Sequence, residues 1–351
     1  MNSSRYFQNS GSMQSKSIPP TSNPTSSKRV SAYDKNFEGL LIDYHVYPDE
    51  YEYPYGQEAP ELGTLEELAQ RLSQRRPSLA PPHFTTSDFR AFRRKNRQAI
   101  NEDAVMRDVI PIIAGNSDIP STQNLLYTRL DSITNGTTVN AQPDFYDGAR
   151  LNDVDKQVQK DLRSFIIPTG HRTAPVAPNF FLEVKHPSGG ADVAVRQACF
   201  DGALGARGMH QLQSYRKEEP VYDGNAYTVT STYHDGGLKM YTTHPTQSID
   251  GTTEYHMTQV NAWSLTGNLD NFRQGATAFR NAREWAQEQR DGFISVANKT
   301  ARAVNAEPPA YESCDHKTFS DPTNLQDTTH PTQVEDRCVD SQYYMSQRSF
   351  H

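Results

Sequence analysis

The stretch PNFFLEVK, residues 178–185, runs an apolar segment straight into Glu183 and Lys185. Side chains alternate along a strand, so residues two apart share one face. Burying a carboxylate and an ammonium there is costly unless they are paired or hold a metal. A second acid, Asp144, follows Pro143 in the earlier segment PDFYDGA. Two carboxylates brought to one end of a sheet make an oxygen site for a hard divalent cation such as Mg2+, with the Val184 carbonyl as a third donor. Lys185, on the face of Glu183, would orient an attacking water and offset charge gathering on a phosphate. Asp147 lies three positions from Asp144 and faces the other side of a regular strand, so only one of the two can be a ligand; Asp144 is preferred for its place after Pro143. The plainer alternative is a surface ion pair, Glu183 with Lys185 or a neighbour, closing a strand.

The elements that must position these groups are legible as periodic segments. Residues 89–115 read as a helix with Val105, Val109, Ile112 and Ile113 as its apolar stripe, kinked or ended by Pro111. Residues 130–141 read as a strand with an Asn135-Gly136 turn, followed by strands at 143–149 and 177–185. A long helix over 191–215 presents Val195, Cys199, Gly202, Ala206 and Met209 as a narrow small-residue face suited to close packing on a sheet. Residues 225–245 alternate as a β-hairpin around His234-Asp235-Gly236-Gly237, and 254–265 add a strand. A last helix is expected from Asp270, as N-cap, to Ala301. The fold class expected is α/β or α+β with a mixed central sheet flanked by helices.

Glu-x-Lys on one strand, Pro-Asp on its neighbour and an αβββαβ order of elements together resemble the PD-(D/E)xK nuclease superfamily, over roughly residues 101–265. A longer span, from NFEGLL through PNFFLEVK and RQACFDGALGARGMHQLQ to FRNAREWAQEQRD, is similar to a set of uncharacterised fungal proteins assigned nuclease activity by resemblance. The resemblance implies a restriction-endonuclease-like core with catalytic Asp144, Glu183 and Lys185. It implies Mg2+ or Mn2+ held by Asp144, Glu183 and the Val184 carbonyl. The family often adds a metal-facing Glu on the first core helix. Glu102, on the stripe of Val105, Val109 and Ile113, is that candidate, although an acid there also suits the helix dipole. A polar residue on the helix after Glu-x-Lys is also common, and Gln197 matches it; an ordinary surface amide is the other reading. The function expected is divalent-metal-dependent phosphodiester hydrolysis in DNA or RNA. The alternative is a catalytically inactive nuclease-fold interaction or nucleic-acid-binding module.

Bulk properties narrow the field. The chain has 351 residues, 35% hydrophobic, with a formal charge of −7, a pI near 5.9 and a mean hydropathy of −0.79. Those values indicate chain lying outside a packed core and argue against non-specific nucleic-acid binding across the whole surface. The organisation expected is a disordered tail over 1–32, an extended and helical arm over 33–86 packed on the core, a nuclease-like domain over 87–303 and a second disordered tail over 304–351. No secretory leader and no membrane span is read, so the chain is expected in the cytoplasm or nucleus with no membrane partner. Three cysteines at unpaired spacing fit a reducing compartment.

Other constellations are weaker. Cys199 and His210 lie about 16 Å apart along one helix. His234, His244 and His256 lack zinc spacing. The glycines of GALGARG follow a helix rather than a strand, which reads as helix packing rather than a phosphate loop. Arg196, Arg207 and Gln211 share a helical face that could touch phosphates, and Arg93, Arg94 and Lys95 read as a solvated face.

Overall fold

A computed structural model describes residues 29–56 and 58–306. The expected tails therefore fall almost wholly outside the described residues. Within the overlap, Val30 bridges Thr138 and Ala32 is buried, so the body begins before residue 33.

The segment expected as an arm supplies part of the core. Helix α1 (Phe37–Asp43) buries Phe37 and Leu41, and Phe37 meets Phe200 edge-on at 5.7 Å. Strand β1 (Val46–Tyr47) joins the sheet edge parallel to a later strand. Helix α2 (Leu65–Leu72) buries Leu68 and Leu72, one turn apart on the same face.

The single helix expected over 89–115 is three. α3 (Thr86–Gln98) opens with a capping box between Thr85 and Asp88. α4 (Glu102–Asp108) restarts because the Asn101 side chain accepts from Ala104 N at 2.8 Å. α5 (Ile110–Ala114) holds Pro111 in its first turn, where a missing N–H is tolerated. Arg93, Arg94 and Lys95 on α3 are exposed, as a solvated face requires.

The sheet has seven strands in the order β1-β7-β6-β5-β4-β3-β2. The strand before β3 is not where the sequence suggested: the edge strand β2 is Ser121–Gln123, while 130–141 forms turns with one bridge at Thr138. Asn135 and Gly136 both take positive φ, which fits the Asn-Gly turn without the ladder. β3 (Phe145–Ala149) pairs antiparallel with β4 (Val176–Lys185), after the short helices α6 (Lys156–Asp161) and α7 (Arg163–Ile166). Helix α8 (Ala191–Gln213) then crosses over to β5 (Thr228–His234), which runs parallel to β4. β5, β6 (Gly237–Gln247) and β7 (Thr253–Ser264) are antiparallel neighbours, the first hairpin turning at Asp235-Gly236 with positive φ at both. Helix α9 (Leu269–Ala306) starts one residue before the expected Asp270 cap and packs Phe272, Ala276, Phe279 and Ala286 inward. Asn268 caps it, accepting from Asn271 N at 2.8 Å.

The sheet is thus mixed and covered on both faces. Phe180, Leu182 and Val184 of β4 join the core under α3–α5 and α9, while Phe181 joins the one under α8. Glu183 and Lys185 lie two and four positions after Phe181 and share its face, so they point toward α8. α8 lies close to the sheet because Gly202 and Gly205 face it. A Cβ on Gly205 would sit 2.7 Å from the Phe181 ring and 2.8 Å from Thr228 Cγ2. Gly205→Ala should lower stability by about 1–2 kcal/mol, the overpacking cost exceeding Ala's helix-propensity gain. Chemical denaturation checks this, and an unchanged midpoint would mean that α8 can lift from the sheet freely.

Candidate functional site

The register of β3 against β4 sets Phe145 opposite Leu182, and so Asp144 opposite Glu183. Each carboxylate accepts from the other strand's backbone: Val184 N donates to Asp144 Oδ2 at 2.7 Å, and Asp144 N to Glu183 Oε1 at 3.3 Å. Lys185 Nζ lies 3.7 Å from Asp144 Oδ2, 3.9 Å from Glu183 Oε2 and 3.7 Å from Glu102 Oε2. The sequence-read set of Asp144, Glu183, Lys185 and Glu102 therefore converges on one amine. Lys185 Nζ also donates to the Val184 carbonyl at 2.9 Å, so that oxygen serves the lysine.

These groups line a cleft of about 520 Å3 with Tyr33, Gln197 and Asp201. Its opening is graded. Glu183 and Lys185 side chains are 1% exposed, Asp144 14% and Glu102 34%.

Asp147 is the acid that does not belong to the cleft. It is fully buried on the α9 side, where Arg283 Nε and Nη2 donate to it at 2.8 and 2.9 Å. Asp144 is the cleft-facing member of the pair. Gln197 reaches the cleft with a buried Oε1 that lacks a partner. Arg196 and Arg207 do not line it. Arg196 donates from Nε to the Ala32 carbonyl at 2.8 Å and pairs with Asp192, while Arg207 donates to the Asp131 carbonyl at 2.5 Å and stacks on Phe165. Both guanidinium groups tie backbone segments to α8, which corrects their reading as phosphate contacts.

Sequence reasoning missed Asp201. It is the only acid between residues 193 and 213, set in an otherwise small and apolar stretch of α8. It is buried, and its carboxyl meets that of Glu183. Glu183 Oε2 and Asp201 Oδ2 are both buried with no hydrogen-bond partner. The signal was present, since an isolated acid on the packing face of a helix is expensive. Tyr127 was also missed; its hydroxyl is buried and unpartnered beside the same two acids.

The electrostatics follow from burial. Burial pushes Glu183 well above the usual carboxylate range, and the charges of Asp201 and Asp144 push it further. Burial lifts Asp201 to about 7, with Glu183 as its hydrogen-bond partner. Asp144 is raised by burial as well, opposed by Lys185. For Lys185 burial disfavours the charge, but Asp144, Glu183 and Glu102 outweigh it and raise its pKa. Burial therefore favours a proton on the two facing carboxyls, while the surrounding acids favour the charge on Lys185.

A divalent cation fits this donor set. Two buried carboxylate oxygens lack partners, and the donors are all hard oxygens, which suit Mg2+ or Mn2+. Among the described residues no three His, Cys, Asp or Glu side chains already close on a single point; the acids are spread around the Lys185 ammonium instead.

Comparison with protein-family models, curated proteins and solved structures found no match. Among the described residues no helix is long and apolar enough to cross a membrane.

The raised acids give a signed pH prediction. An acid whose pKa is higher folded than unfolded binds its proton more tightly when folded. Its contribution is then greatest below the unfolded value near 4 and is lost as pH rises through the folded value. The buried His244 and His256, held down to about 4 and about 3 by burial, push the other way below pH 6.5. Their effect cancels when wild type is compared with Asp201→Asn. Without metal, wild-type Tm relative to that variant should fall between pH 4.5 and 8, and Mg2+ or Mn2+ should restore it at pH 8. Thermal unfolding in EDTA and with metal reads both; a pH-independent difference would mean that Asp201 is not held protonated.

Proposed function

We propose that this chain is a divalent-metal-dependent phosphodiesterase of the PD-(D/E)xK type acting on DNA or RNA. The observation that supports the reading is the gathering of Asp144, Glu183 and Glu102 within 4 Å of Lys185 Nζ at the rim of a mixed sheet. The succession α3–α5, β2, β3, α6–α7, β4, α8 and β5 supports the reading, being an αβββαβ order with two short helices inserted before β4. Asp144 and Glu183 are the donors for Mg2+ or Mn2+, with Asp201 and Glu102 next to them. When bound, such an ion stabilises charge on a phosphoryl oxygen and eases deprotonation of water.

The chain's own residues divide the remaining work. Lys185, held protonated by three acids, is a hydrogen-bond donor rather than a base. It orients the attacking water and offsets charge developing on the phosphate, where a preorganised donor in a dry site is most effective. Gln197 Oε1, free in the cleft, is a further acceptor for that water or for a substrate hydroxyl. Asp201 holds Glu183 in place through their carboxyl contact.

A second reading is a catalytically silent nuclease fold used as an interaction module. The near-complete burial of Glu183 and Lys185 favours it, as does the position of Arg29, Ser31, Ala32, Tyr33 and Phe37 along the cleft wall. Cleavage of plasmid and oligonucleotides with Mg2+ or Mn2+ separates the two. Hydrolysis should fall at least about 100-fold in Glu183→Gln, Asp144→Asn and Lys185→Met, as expected when a preorganised charge is removed, with the fold retained by circular dichroism. Undetectable hydrolysis by wild type in either metal favours the silent module, and equal hydrolysis by all three variants overturns the assignment of the site.

A further inference from the structure

The proposed site faces its substrate with the wrong charge. Glu102, Asp144, Glu183 and Asp201 outnumber Lys185 and Arg29 around the cleft, and the whole chain is acidic. A polyanion needs compensating positive surface within reach.

One concave region supplies it. A pocket of about 440 Å3 beside α6, α7 and the turn before β4 is lined by Arg129, Lys156, Lys160, Arg163, His171 and Arg172, and by no carboxylate. Lys156 and Lys160 lie one turn apart on α6 and Arg163 opens α7, and all three border the pocket. Arg129 packs over Gly170, where a Cβ would stand 3.0 Å from the guanidinium. The acids of α6 are turned elsewhere. Asp155 accepts from Gln157 N and faces Arg302, and Asp161 takes Tyr215 and Arg216. Among the described residues the five permanent cations of the pocket are all exposed and make no ion pair. Five unneutralised cations in one concavity of an acidic protein repel one another, and that cost is offset when an anion binds.

The pocket also neighbours the cleft along the chain. Leu126 lines the cleft and Arg129 the pocket, at most about 11 Å apart along the chain. Along β4, Val176 borders the pocket and Glu183 the cleft, seven positions or about 23 Å apart. That spacing corresponds to about six or seven phosphates along one nucleic-acid strand.

We infer that the Arg129–Lys156–Lys160–Arg163–Arg172 pocket is a docking site for the phosphodiester backbone of a nucleic acid whose reacting phosphate lies in the Glu183 cleft. The inference rests on the proposed phosphodiesterase reading for its cleft end. The pocket contributes sequence-independent, salt-sensitive affinity, because it offers charges to phosphates and nothing that reads a base edge.

The test uses the exposed pair Lys160→Glu/Arg163→Glu in the full chain, with Lys160→Gln/Arg163→Gln as the milder variant. Binding of fluorescein-labelled 30-mers, single-stranded and duplex, is followed by anisotropy with Ca2+ replacing Mg2+. Hydrolysis of bis(p-nitrophenyl) phosphate with Mn2+ is measured alongside, since that diester is too small to span both sites. Charge reversal should raise the oligonucleotide Kd about tenfold or more and reduce the log–log salt slope by about 2, with small-diester hydrolysis within about twofold of wild type. Unchanged affinity and slope overturn the docking site, as does a wild-type chain that binds anionic vesicles and no oligonucleotide. If wild type hydrolyses the small diester but the variants bind oligonucleotide normally, the pocket assignment falls and the metal site stands. If wild type hydrolyses nothing while charge reversal still weakens binding, the pocket stands and the phosphodiesterase reading falls.

Discussion

Burying like charge at the end of β4 is the constraint on which the rest of the structure turns. Glu183 and Asp201 present their carboxyls to each other in a space that water barely reaches, with Asp144 beside them. Two facing carboxylates cannot both ionise cheaply there; a shared proton, an ammonium or a metal must intervene. Lys185 provides part of the compensation from the same strand, and the unpartnered oxygens mark what it leaves unmet. A fold optimised for stability alone would place apolar side chains at these positions, so the arrangement points to function.

The architecture serves that constraint. Antiparallel pairing sets Asp144 opposite Glu183, and the parallel crossover through α8 brings Asp201 over the same strand. Small residues on α8 let the helix settle close enough for the two carboxyls to meet. On the far face Asp147 is neutralised by Arg283, and Asn179 accepts from Arg290, so α9 supplies partners to buried polar groups that the cleft does not use. The same sheet therefore carries a paired buried acid, Asp147, on one side and the carboxyls of Glu183 and Asp201, each with an oxygen lacking a hydrogen-bond partner, on the other.

Much of this was readable in the chain because it is local. A short apolar run marked β4, β-branched and aromatic strands around His234-Asp235-Gly236-Gly237 marked the β5–β6 hairpin, and small-residue spacing marked α8 as a close-packing helix. Glu183 and Lys185 were legible because charge at the end of an apolar strand conflicts with burial. Asp201 was not, because its meaning depends on how far α8 sinks onto the sheet, and helix periodicity carries no such distance. The strand expected at 130–141 has the right turn but no partner strand to pair with, and β2 at 121–123 is too short to show a period. Arg196 and Arg207 share a helical face, yet the carbonyls of Ala32 and Asp131 claim them, contacts set wholly by tertiary packing. The residues of the arm were harder still: Val46 reads as an isolated apolar position until β7 is placed beside it.

The claim at the centre is that the cleft acids hold a metal rather than only a lysine and a proton. The most direct measurement is anomalous diffraction from crystals of the chain soaked in Mn2+. The result predicted is a peak within about 2.1 Å of oxygens from both Asp144 and Glu183. A cleft with no peak, in which Lys185 Nζ still sits among Glu102, Asp144 and Glu183 as it does here, would contradict it.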